Sequence, residues 1–81
     1  MARTYTRHLN NGDIEPHTHA QDHWTYCVQG RVSVGLDDDL HEMNSKTPRL
    51  MVKAEHMHSV KALEPNSIVV CDFREVRHGA D

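Results

Sequence analysis

Three imidazoles fall within seven residues of this chain, His17, His19 and His23 in the run PHTHAQDH, and Gly30 follows the last of them after a six-residue gap. Neutral imidazole is a nitrogen donor that suits zinc, copper, iron and nickel. The chain holds 8 histidines in 81 residues, so clustering alone says little; the His-x-His-x3-His-x6-Gly spacing is far more restrictive than a solvated surface HxH. On an extended strand, His17 and His19 project to the same side. Ala20, Gln21 and Asp22 read as a short turn. The chain then returns as HWTYCVQG, which predicts His23 beside the first pair on an antiparallel partner strand. The expectation is a β-hairpin that presents a facial set of nitrogen donors to a divalent transition metal.

The stretch Gly12-Asp-Ile-Glu-Pro-His17-Thr-His19-Ala-Gln-Asp-His23-Trp-Thr-Tyr-Cys-Val-Gln-Gly30 resembles the first motif of the cupin superfamily. The leading gap is one residue shorter than that motif's usual spacing, and His23 stands where the motif has glutamate. The second cupin motif, Pro-x-Gly-x-x-His, is matched in position by Lys53-Ala54-Glu55-His56-Met57-His58, with Lys53 and Glu55 replacing the proline and glycine. His58 takes the histidine place. The resemblance covers about residues 12–63 and implies one divalent metal ion per chain (iron, manganese, nickel, copper or zinc) held by His17, His19, His23 and His58. His56, two residues before His58, is the competing candidate and is otherwise expected at the barrel mouth as a proton carrier.

The elements that must position these residues read as short strands. Residues 3–9 alternate as an edge strand, and Asn10-Asn11-Gly12-Asp13 signals a turn. Strands are expected over Ile14–His19, His23–Gln29, Arg31–Leu36, Leu40–Met43, Arg49–Lys53, Met57–Leu63 and Ser67–Phe73. Asp37-Asp38-Asp39 lacks the glycine and distal glutamate of a calcium loop and reads as a solvated hairpin tip. The tail from Arg74 is polar and expected to fray. The fold class is all-β, a single domain over residues 1–81, and the resemblance makes it a small cupin-type β-barrel.

Alternation predicts His23, Thr25 and Cys27 on one inward face, and His58, Val60 and Ala62 on another. Cys27 would then be a thiol beside the metal, although Cys27 and Cys71 both read first as buried free thiols. Trp24 and Tyr26 point outward, for outer-face packing or a homodimer contact. His8, His41 and His78 lack spacing partners and read as surface residues.

A formal net charge of −3 argues against nucleic acid as a partner. No apolar run approaches the ~18 residues of a membrane span, and MARTYTRHLNNG lacks the core of a secretory signal, so a cytoplasmic protein is expected. Four neutral ligands leave the ion's charge uncancelled and favour a small anionic or carbonyl ligand. The resemblance implies oxygenase-like or isomerase-like chemistry on a small organic acid or carbonyl compound. A non-catalytic binding module or sensor is the alternative, because no general base accompanies the histidines; a purely structural zinc site is a third reading.

Overall fold

The computed structural model describes residues 4–9 and 13–74. All regular elements among them are strands: β1 (Thr4–Leu9), β2 (Ile14–His17), β3 (His23–Gln29), β4 (Arg31–Leu36), β5 (Asp39–Asn44), β6 (Leu50–Val52), β7 (His58–Ala62) and β8 (Ser67–Asp72). They form two antiparallel four-stranded sheets, ordered β1-β8-β3-β6 and β2-β7-β4-β5. The expected strands are thus present: β3 and β4 match their expected bounds, β5 is a residue longer at each end, and the others are trimmed by a residue or two. The Asn10–Gly12 turn, His78 and most of the tail lie outside the described residues.

Alternation explains which faces close on each other. On β3, His23, Thr25 and Cys27 are buried while Trp24 and Tyr26 are half-buried, and on β4 Val32 and Val34 are sealed from solvent. Leu9, Cys27 and Val69 from the first sheet meet Ile14, Val32, Val34, Met43 and Val60 from the second in one cluster. Each large aliphatic side chain so buried contributes about 1.5–3 kcal/mol.

The predicted hairpin between His19 and His23 is not formed, because β2 and β3 belong to different sheets. Residues 18–22 cross from one sheet to the other. Their polar groups bond to the turn before β7 instead of to each other: the Glu55 N–H donates to the His19 carbonyl (2.8 Å), and the Ala54 N–H donates to Asp22 Oδ1 (2.7 Å). A crossover needs such outside partners, since a buried backbone group left unpaired is destabilising.

The next change of sheet, from β3 to β4, passes through Gly30 at φ +76°. A Cβ there would stand 2.9 Å from the Ser67 Cα, so both the dihedral and the close approach require glycine. The Ser67 hydroxyl fills the gap, accepting from the Arg31 N–H (3.2 Å) and donating to the Glu64 carbonyl (2.8 Å). At the β4–β5 tip, Leu36 pairs with Asp39, so Asp37 and Asp38 are the turn, as expected of a solvated charge run. No helix among the described residues is long and apolar enough to cross a membrane.

Candidate metal centre

His17 on β2 and His58 on β7 are directly opposed partners in one sheet. His23 comes from β3 in the other sheet, and His19 lies just past β2 in the crossover. One nitrogen from each of His17, His19 and His58 falls within a group whose members are all within 4.8 Å of one another. The His23 ring is beside them, with its centroid 5.0 Å from that of His19 and 5.1 Å from that of His58. The structure therefore brings all four expected residues to one place, from two sheets rather than one hairpin.

Their hydrogen bonds set which nitrogen faces the centre. Nδ1 of His17 donates to the Glu15 carbonyl (2.7 Å), and Nδ1 of His58 donates to the His56 carbonyl (3.1 Å). A ring that donates from Nδ1 carries its lone pair on Nε2, the arrangement that outer partners impose on metal-binding histidines. Nε2 of His17 stands 3.0 Å from Nε2 of His19. Two nitrogens each about 2.1 Å from a shared ion and at right angles would be about 3 Å apart, so this pair has a spacing an ion can bridge.

Two further observations test whether the residues fit such an ion. Nε2 of His58 and both nitrogens of His23 are buried and none makes a well-formed hydrogen bond, although His23 is fully sealed from solvent. Burial, reinforced by the neighbouring His58 and His19, pushes His23 down to about 4, with the Gln21 backbone opposing. His19 and His58 are also lowered, chiefly by burial. These imidazoles are neutral at pH 7, the form that ligates metals. The donor set fits a borderline divalent ion.

Phe73, just beyond β8, stacks on His23 (4.7 Å, 31°) and meets His19 edge-on at 5.6 Å. No metal-ligand spacing in the sequence points to Phe73; its place at the end of the strand whose Val69 and Cys71 face inward is the signal for it. The histidines open onto a cavity of about 150 Å³ whose lining includes Thr25 and Cys71 together with Tyr5 and Arg7 of β1. Cys27 does not reach it. Its thiol is buried in the aliphatic core and donates to the Gln29 carbonyl (3.2 Å), so the cysteine beside the histidines is Cys71. Both cysteines are free thiols, Cys27 buried as expected and Cys71 only half-buried.

His56 stays outside, exposed and paired with Asp37 at 2.8 Å. Glu55 has φ +66°, so the backbone of the second motif keeps the left-handed turn of its missing glycine. Trp24 lies on the outer face as predicted, with the Arg49 guanidinium 4.1 Å above its ring. A larger, shallower depression of about 520 Å³ lies away from the histidines, lined by Tyr26, Thr47, Arg49 and Arg74. It holds no histidine, and Arg74 is paired there with Asp72.

No protein-family model matches the chain, and no curated protein matches it in sequence. Solved structures do. KdgF from Halomonas sp. aligns with 25% identity and a TM-score of 0.74 over 89% of this chain and 68% of that one. A cupin-2 domain containing protein from Shewanella frigidimarina aligns with 16% identity and a TM-score of 0.71, over 90% and 71% of the two chains. An oxalate decarboxylase variant from Bacillus subtilis aligns with 22% identity and a TM-score of 0.70 over 91% of this chain, but only 22% of its own. The fold of this chain, two packed antiparallel four-stranded sheets, is the cupin fold.

Proposed function

We infer that this chain is a metal-binding cupin in which His17, His19, His23 and His58 hold one divalent transition-metal ion, and that it acts as an enzyme on a small organic acid or carbonyl compound. The observation that carries the reading is the set of buried imidazole nitrogens on His23 and His58, without well-formed hydrogen bonds, beside His17 and His19. When bound, the ion would supply Lewis-acid polarisation of a substrate oxygen. The Glu15 and His56 carbonyls hold the His17 and His58 rings in the tautomer that aims Nε2 inward. Phe73 restrains the His23 ring and keeps water from it. The cavity beside the histidines receives the substrate.

Metal analysis of protein made in minimal and metal-supplemented media tests this reading. One ion per chain is expected, with His19→Ala and His58→Ala losing most of it and His56→Ala very little. Full metal content in the first two variants would overturn the assignment. A non-catalytic binding module is the second reading, favoured by the absence of any carboxylate from the cavity lining among the described residues. Ligand binding without turnover by the metal-loaded protein would select it. The proposal also includes a homodimer. Its support is the exposed Tyr5, Leu40 and Met57 rather than Trp24, which Arg49 covers. A monomeric mass at micromolar concentration would remove that part alone.

A further inference from the structure

Among the polar groups lining the cavity beside the histidines, Arg7 and Thr25 are two that ligation of an ion leaves unused. Arg7, on edge strand β1, lines it from the open side. Among the described residues no carboxylate pairs with the Arg7 guanidinium and its side chain donates no hydrogen bond, in contrast to Arg31 and Arg74. Thr25 on β3 lines the same space. It is 1% exposed, and its Oγ1 makes no well-formed hydrogen bond, with only the thiol of Cys71, its partner across β3 and β8, as a weak polar contact. A buried hydroxyl in that state is destabilising unless something completes it. Ile14 and Val60 supply apolar wall, and no acidic side chain offsets the guanidinium charge.

These features select a ligand by charge, geometry and size. A guanidinium presents a planar fork that matches a carboxylate in two parallel hydrogen bonds, which a neutral carbonyl cannot accept as strongly. A cavity of about 150 Å³ has room for about five water-sized groups at ~30 Å³ each. We propose that Arg7 and Thr25 form an anion subsite for the carboxylate of a small hydroxy- or oxo-acid, whose second oxygen turns toward His17, His19 and His58. This rests on the reading of the histidines as a metal centre and narrows its substrate from any acid or carbonyl compound to a short carboxylate. Arg7 is the specificity-determining residue, and β1 is the element that brings it to the site.

The test is calorimetric titration of the full-length, metal-loaded chain with three probes: glycolate, its neutral analogue glycolamide, and mandelate, which adds a phenyl ring to the same acid. Glycolate should bind, and the other two should bind at least about ten-fold more weakly, one for want of charge and one for want of room. Arg7→Gln should weaken glycolate about ten-fold, Arg7→Lys by less because it keeps the charge and loses the fork, and Thr25→Val by a few-fold. Metal content is measured on the same samples and should be unchanged in all three variants. Equal binding of glycolate and glycolamide, no glycolate binding by the wild-type chain, or glycolate binding indifferent to Arg7→Gln at full metal content would overturn the subsite alone. A wild-type chain that retains no metal would overturn the metal reading instead, while the ratio of glycolate affinities between wild type and Arg7→Gln still measures the subsite.

Discussion

The two ends of the barrel interior are built by the same strands and obey the same alternation, yet they differ in chemical completeness. At one end Val32, Val34, Met43 and Val69 pack with Leu9 and Cys27, and the Cys27 thiol and the buried Ser67 hydroxyl beside them both have acceptors. At the other end sit the histidines and Thr25. All four buried side-chain nitrogen or oxygen atoms without a well-formed hydrogen bond among the described residues belong to His23, Thr25 and His58. Each such atom is destabilising by about 1–3 kcal/mol when nothing binds it. The difference teaches that the aliphatic end supports the fold, while the imidazole end reduces its stability in favour of an incoming ligand.

The sharpest way to break this contrast is to remove mass from the aliphatic end. Met43 is 2% exposed, and Met43→Ala should lower unfolding free energy by about 2–5 kcal/mol while the folded fraction keeps its metal stoichiometry. Denaturant titration with metal analysis reads both; lost stoichiometry in the folded fraction would show that the two ends are not separable. The opposite substitution is His23→Leu, which should cut metal retention yet stabilise the metal-free chain by about 1–3 kcal/mol, because two buried nitrogens without well-formed hydrogen bonds disappear. A metal-free variant that melts below the wild type would mean that His23 contributes packing and not strain.

Two smaller effects concern what holds the imidazole end in position. Asp72, next to Phe73, accepts from Arg74 and Thr4, and the Arg74 contacts hold its carboxyl down at about 2. A lowered carboxylate contributes stability that is present above its unfolded value of about 3.9 and lost as pH falls through about 2. Asp72→Asn should therefore lower stability by about 1–2 kcal/mol at neutral pH and by progressively less toward pH 2, as acid titration of both proteins would show. Glu55→Gly, by contrast, should raise stability by about 1 kcal/mol, since glycine accepts φ +66° without strain. A thermal melt that falls in this variant would place an unrecognised contact on the Glu55 side chain.

Local alternation carries the strand positions and the inward face of β3, whereas His17, His19 and His23 meet through a crossover between sheets and not through the hairpin that alternation implied. What alternation lacks is pairing and depth. The partners Thr4↔Asp72 and His17↔His58 are far apart in the chain, so nothing in the residues near His17 says that β2 joins β7 and not β3. Motif resemblance placed His58, and the left-handed Glu55 shows why the turn survives without its glycine. Depth along the barrel decided the cysteines. Cys27 and Thr25 share a face, but Cys27 pairs with Val69 in the aliphatic end, whereas Thr25 pairs with Cys71 near the histidines. Arg7 and Phe73 reach the site only through the β1–β8 pairing and the end of β8, neither of which a local pattern reveals.

The placement of Trp24 has an optical consequence. It is the only tryptophan in the chain, it follows His23 directly, and its indole lies on the outer face under Arg49. The fluorophore is thus covalently adjacent to the histidine cluster without being in contact with any ion held there. Copper(II) or cobalt(II) at the histidines should quench its emission through their visible absorption and unpaired electrons, while zinc, which has neither, should leave it nearly unchanged. The native chain is therefore its own label for following which ion enters and how fast it leaves.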